Sequence, residues 1–240
     1  MKTVLLLLLF PLLILSGCDN EPWSPNVRGT GPTESEVRTL RDFSRVELKI
    51  DAQVILTQGA QREVRIEAQR NILDILETEI SGDQLEIEYG RYDVRSHDPV
   101  KVYITVPSLT EVEVSGSGKI QSASLWTATS FRTHVSGSGE ISMNFAKVDG
   151  LRTNVSGSGE VRLSGTGQNH NATISGSGKI YAYELETQDT YASISGSGKT
   201  YVAAARTLDV DLSGSGSVYY RGNPKVSSRI SGSGKVVPEN

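Results

Sequence analysis

The hexapeptide Ser-Gly-Ser-Gly-Lys-Thr at residues 195–200 ends like a phosphate-binding loop. Such a loop needs a glycine five residues before its last one, to open the turn whose backbone N–H groups surround the phosphates. Ser193 stands at that place. Ser-Gly-Ser-Gly also occurs seven times, starting at Ser115, Ser136, Ser156, Ser175, Ser195, Ser213 and Ser231. A phosphate site is made once, whereas a tetrapeptide recurring every 18 to 21 residues is architecture. The three histidines, His97, His134 and His170, form no column over adjacent copies. His134 shares its place in the repeat with Asp211, but four copies away, roughly 19 Å at the spacing of paired strands. Serines such as Ser117 have no histidine in register, which leaves no nucleophile with a base. The repeat also lacks the aspartate of glycine-rich calcium-binding nonapeptides. No catalytic, metal or cofactor site is expected.

Tyrosine and lysine make a more coherent set. Aligned on the motif, Gln121, Ser142, Arg162, Tyr181, Tyr201, Tyr219 and Val237 fall in one column, with Lys179 and Lys199 two residues before their tyrosines. Tyr181, Tyr201 and Tyr219 should stack one copy apart on the surface, with Tyr183 beside them. A tyrosine offers a flat apolar body and a polar tip, and the lysines add positive charge suited to acidic glycans. These six residues are the candidate ligand site. The alternative role is an aromatic ladder that steadies the fold.

The elements that would position them can be read from the other columns. The residue before each motif is Val114, Val135, Val155, Ile174, Ile194, Leu212 or Ile230, always aliphatic. Polar residues precede it, from Glu113 and His134 to Arg229, and small or β-branched ones precede those. After the motif, Lys119, Glu140, Glu160, Lys179, Lys199, Ser217 and Lys235 alternate with Ile120, Ile141, Val161, Ile180, Thr200, Val218 and Val236. Period-two alternation marks strands with one buried face, so each copy reads as strand, glycine corner, strand. A repeat near 20 residues with one aliphatic column per strand is solved by stacking copies as turns of a solenoid. No signal recurs every six residues, which argues against the left-handed hexapeptide form. The expected fold is all-β, a right-handed parallel β-helix. Extra residues should loop out, as in Ser122–Ser130. Residues 43–106 alternate without the motif and should form irregular first rungs and a cap, with a helical turn over 71–78.

The N-terminus has the build of an export signal: Lys2, an apolar run from Val4 to Leu15, then small residues. Leu15-Ser16-Gly17-Cys18 resembles a bacterial lipobox, in which the cysteine is acylated and heads the mature chain. Cys18 is the one cysteine, so no intramolecular disulfide can form. The expected organisation is a signal peptide over 1–17, a flexible Pro- and Gly-rich tether over 18–36, and one domain over 37–240. That domain divides into an irregular half (37–114) and a repeat half (115–240). A formal charge of −4 argues against nucleic acid as a partner. Lipid at Cys18 would make the membrane a partner. The outer membrane is favoured over the inner, although the aspartate at position 19 favours inner-membrane retention in enterobacterial sorting.

The irregular strand-rich half, the entry Val106-Pro-Ser-Leu-Thr-Glu-Val-Glu-Val-Ser-Gly-Ser-Gly118 and the serial motifs resemble the GIN-domain family, DUF2807. The resemblance covers about residues 40–237. It implies an exported, often lipid-anchored β-helical protein of the adhesin type, with no catalytic residues to carry over. A glycan or an envelope protein is the expected partner. A passive envelope scaffold and a polysaccharide-active enzyme stand as alternatives, and clustered acids, bases or metal ligands on one face would mark the latter. The sequons at Asn154 and Asn171 carry no meaning in a bacterial lipoprotein.

Overall fold

The computed structural model describes residues 25–239. The signal segment and Cys18 lie outside the described residues. The fold is nearly all β, a solenoid of about six turns. Long strands, Trp126–Gly137, Glu140–Gly157, Glu160–Gly176, Lys179–Gly196 and Lys199–Gly214, run parallel, each lying on the one before.

The register places each residue on its counterpart one turn away. Val114, Val135, Val155, Ile174, Ile194, Leu212 and Ile230 form one ladder, and Ile120 through Val236 form the second. From Val114 to Leu212 the first ladder is fully buried, which is why period-two alternation suffices to build the core. Both ladders continue into the irregular half, but out of chain order. Leu48 sits between Val114 and Ile87, and Val54 sits between Ile120 and Val102. The chain thus lays one rung, then places the strands Gln84–Glu88 and Lys101–Val106 outside it, before starting the repeats on the other side.

Antiparallel pairing closes this end. Glu63–Gln69 lies antiparallel on Lys101–Val106, Thr33–Arg38 on Glu63–Gln69, and Glu77–Ser81 on Gln84–Glu88. The expected helical turn appears as Arg70–Leu73, with Ile72 and Leu73 buried. Arg38 fastens the cap by donating to the carbonyls of Leu73 and Leu76 at 2.9 and 2.6 Å. Two expectations need correction. Paired strands begin at Asn26, inside the segment expected to be a tether: Asn26–Arg28 pairs with Asp93–Ser96, and Thr33–Arg38 forms the edge of the cap. The segment 122–130 is not a plain loop either. Leu125 is exposed, but Trp126 is fully buried and packs near Phe131, which meets Phe145 edge-on at 5.3 Å.

The motif explains how turns can lie so close. The strands break across Ser138-Gly139 and its equivalents, yet the hydrogen-bond ladder does not. Ser177 N donates to Gly157 O at 2.9 Å, Ser197 N to Gly176 O at 2.9 Å, and Lys199 N to Gly178 O at 3.1 Å. The first glycine of the motif takes φ of 122° at Gly176 and 127° at Gly196, a conformation L side chains rarely adopt. A Cβ on Gly176 would stand 2.6 Å from Gly157 O, the oxygen that accepts this hydrogen bond, and one on Gly196 would stand 2.4 Å from Gly176 O. We therefore expect Gly176→Val and Gly196→Val each to destabilise the fold by about 3 kcal/mol or more, combining backbone strain with a backbone collision. Gly59→Val has ordinary φ and meets the Thr105 methyl, so it should lose clearly less. Chemical denaturation of the three variants checks this, and equal losses would deny the motif its special geometry.

Candidate functional site

The column carrying the candidate residues forms as the sequence implies. Arg162, Tyr181, Tyr201, Tyr219 and Val237 lie in register on successive turns. Tyr181 and Tyr201 stack with centroids 4.9 Å apart and planes 6° from parallel, and Tyr201 and Tyr219 do so at 4.9 Å and 10°. Tyr183 meets Tyr201 edge-on at 5.5 Å. The Arg162 guanidinium covers the outer face of Tyr181 at 4.5 Å, and Val237 is the next residue in the column beyond Tyr219. The ring faces are therefore taken by one another, and what reaches solvent is a row of ring edges and hydroxyls.

Tyr183 is held separately. Its hydroxyl donates to Glu239 at 2.7 Å, and the Arg221 guanidinium lies 4.1 Å from its ring centre. Burial, then the Glu239 bond, pushes its phenol up, and burial with the neighbouring phenols does the same at Tyr201. Both hydroxyls stay protonated: Tyr183 gives its proton to Glu239, and Tyr201 can donate to a ligand. Lys179 and Lys199 are exposed and stacked one turn apart. Neither has an ion pair among the described residues, although Lys119 in the same column reaches Glu140 at 3.1 Å. Glu160, next to Lys179 in register, is instead paired with Arg162.

A second surface went unnoticed in the sequence. Four residues before the second to sixth motifs stand Arg132, Arg152, Asn171, Tyr191 and Asp209, and six before stand Ser130, Gly150, Asn169, Asp189 and Thr207. These two outward columns line a trough of about 650 Å³. Its floor is the inward column between them: Phe131, Leu151, His170 and Thr190, all buried. The signal was available, because alternation extends this far back from the motif, but these columns vary in residue type and do not announce themselves.

His170 is 2% exposed, its Nε2 lies 3.1 Å from the Thr153 hydroxyl, and burial brings its pKa down to about 4. Between pH 4 and 6.5 the unfolded chain takes up a proton that the folded chain refuses, so stability should fall as pH is lowered through that window. The loss amounts to on the order of 3 kcal/mol when complete. Replacing His170 with Leu, the residue at positions 151 and 208 of its column, should flatten the slope of melting temperature against pH there. A slope unchanged in the variant would assign it to other groups. The stacked rings give a second expectation. Tyr201→Ser removes two stacks and one edge contact and should cost about 1–3 kcal/mol, more than Tyr219→Ser, as denaturant melts would read.

Among the described residues no three metal-ligating side chains gather, and no helix is long and apolar enough to cross a membrane. The family model described as "Putative auto-transporter adhesin, head GIN domain" matches residues 42–224. In structure, the chain is similar to a "putative adhesin" from Bacteroides fragilis, with a TM-score of 0.81 and 21% identity over 89% of this chain and all of that one. It is similar also to a "putative lipid binding protein" from Parabacteroides distasonis (TM-score 0.75, 22% identity, 90% of this chain and 100% of that one). A "putative adhesin" from Parabacteroides merdae follows at 0.70 and 17%, with the same coverage. No curated protein sequence matches it.

Proposed function

The chain belongs to the GIN-domain family DUF2807, and from that premise we propose that it is a lipid-anchored, non-catalytic adhesin of the bacterial envelope that grips an acidic glycan. The family's adhesin description supports a binding role, and the Leu-Ser-Gly-Cys18 sequence supports the anchor. One observation carries the choice of ligand. Lys179 and Lys199 stand one turn apart, about 4.8 Å along the stack, and neither has an ion pair among the described residues to offset their repulsion. An anionic partner lying across the turns would relieve it, while the adjoining row of tyrosine hydroxyls donates hydrogen bonds to its oxygens. Contact is made by the ring edges, since their faces are occupied. The face-to-face stacking of these rings favours a second reading, in which the ladder serves the fold alone and the protein is a passive scaffold.

Retention on immobilised polygalacturonate and alginate separates the two. Lys179→Gln with Lys199→Gln should lower affinity at least tenfold at unchanged melting temperature, and retention should weaken as salt rises. Equal retention of wild type and variant, or none by either, would leave the scaffold reading. Shortening of the polymers during incubation would instead reveal an enzyme. The anchor is tested apart from the ligand. Cys18→Ser should release soluble protein or stall the unprocessed precursor, and a variant still membrane-bound at mature size would sink the lipobox reading.

A further inference from the structure

The trough on the other strand face shares no lining residue with the hollows beside Tyr181 and Tyr183, and its chemistry differs from theirs. Its register runs Arg45, Glu111, Arg132, Arg152, Asn171, Tyr191, Asp209 on seven successive paired strands. Six strand spacings make it roughly 29 Å long. That length, with a volume of about 650 Å³, suits a linear ligand of several units.

Most of the charge in the trough is already answered. Arg45 is tied to Asp83, Arg132 to Glu111, and Asp189 to Arg206 and Thr207. Four consecutive residues of one column remain. Arg152 and Asp209 have no ion pair among the described residues, and their charges cancel. Asn171 accepts from the Thr173 hydroxyl at 3.3 Å, leaving its amide hydrogens without a partner among the described residues. Tyr191 is 40% exposed, and unlike Tyr181, Tyr183, Tyr201 and Tyr219 it has no ring or guanidinium over it among the described residues. Its neighbours in the column are Asn171 and Asp209.

An exposed aromatic ring between an amide and a carboxylate, with a guanidinium beyond, offers one apolar platform and both senses of hydrogen bond. The balanced charge favours an uncharged ligand rich in hydroxyls. The trough cannot take an added peptide strand, because its backbone groups are already engaged in the ladders between turns. We propose that this trough binds a neutral, unbranched oligosaccharide, with Tyr191 under one sugar ring and Arg152, Asn171 and Asp209 reading its hydroxyls.

The test is retardation of the full mature chain, in detergent, in native gels carrying hydroxyethylcellulose, linear β-1,3-glucan, linear β-mannan or unsubstituted xylan. At least one polymer should retard the wild type. Tyr191→Ala and Asp209→Asn should each raise the dissociation constant tenfold or more, with melting temperatures within a few degrees because both side chains are exposed. The Lys179→Gln, Lys199→Gln protein should be retarded like wild type, so failure here is distinct from failure of the acidic-glycan reading. Any of three results overturns the proposal: no retardation by the four neutral polymers, retardation by polygalacturonate alone, or retardation that survives Tyr191→Ala. A fourth would redirect it to a protein ligand: peptides captured through Tyr191 with no response to glycans.

Discussion

Residue-over-equivalent-residue pairing between turns is the constraint on which the solenoid depends. Once the register is set, every column becomes a one-dimensional stack in which a residue type meets its own kind about every 4.8 Å. Aliphatic columns gain from this, because each side chain completes the burial of the next. Glycine columns permit it, because a Cβ at Gly176 or Gly196 would strike the carbonyl that holds the ladder together. Aromatic columns stack, as at Tyr181, Tyr201 and Tyr219. Columns of like charge are strained by it, and the exposed pair Lys179 and Lys199 marks where that strain is left unrelieved.

The same regularity decides what could be read in the sequence. The repeat half was legible because seven copies superimpose, and inward and outward positions follow from parity alone. The first rungs were not, since nothing local says that Leu48 lies between Ile87 and Val114. That order is a matter of long-range pairing, to which period-two alternation is blind. The strand Thr33–Arg38 escaped notice for a different reason: it is polar and mostly exposed, so hydrophobic patterning carries no trace of it. Trp126 was misplaced because the alternation breaks directly after it, where the register with the next turn shifts, and polar neighbours masked a buried anchor.

For the candidate binding surfaces, the sequence located the tyrosine column but not the attitude of its rings. Rings in adjacent turns can lie flat against a ligand or against each other, and only the structure shows that they chose each other. The trough was harder to see. Its useful chemistry comes from four different residue types in one column, and a search for recurrence passes over positions whose value lies in being unlike.

The two ends of the solenoid are finished differently. One is turned back by antiparallel strands, while at the other Lys225–Gly232 is exposed along its whole length, with Val226 and Ile230 open to water. A partly folded chain that had laid fewer turns would present the same kind of front, an aliphatic column awaiting its next copy. Each turn is thus held by the same kinds of contact as the turn before it. Adding or deleting one whole repeat would change the height of the stack by a single step and leave every kind of contact as it was. Lys225, Arg229 and Lys235 give this exposed front a positive charge that discourages another copy from joining it. Height is thus a countable trait, open to change by duplication without any redesign of the core.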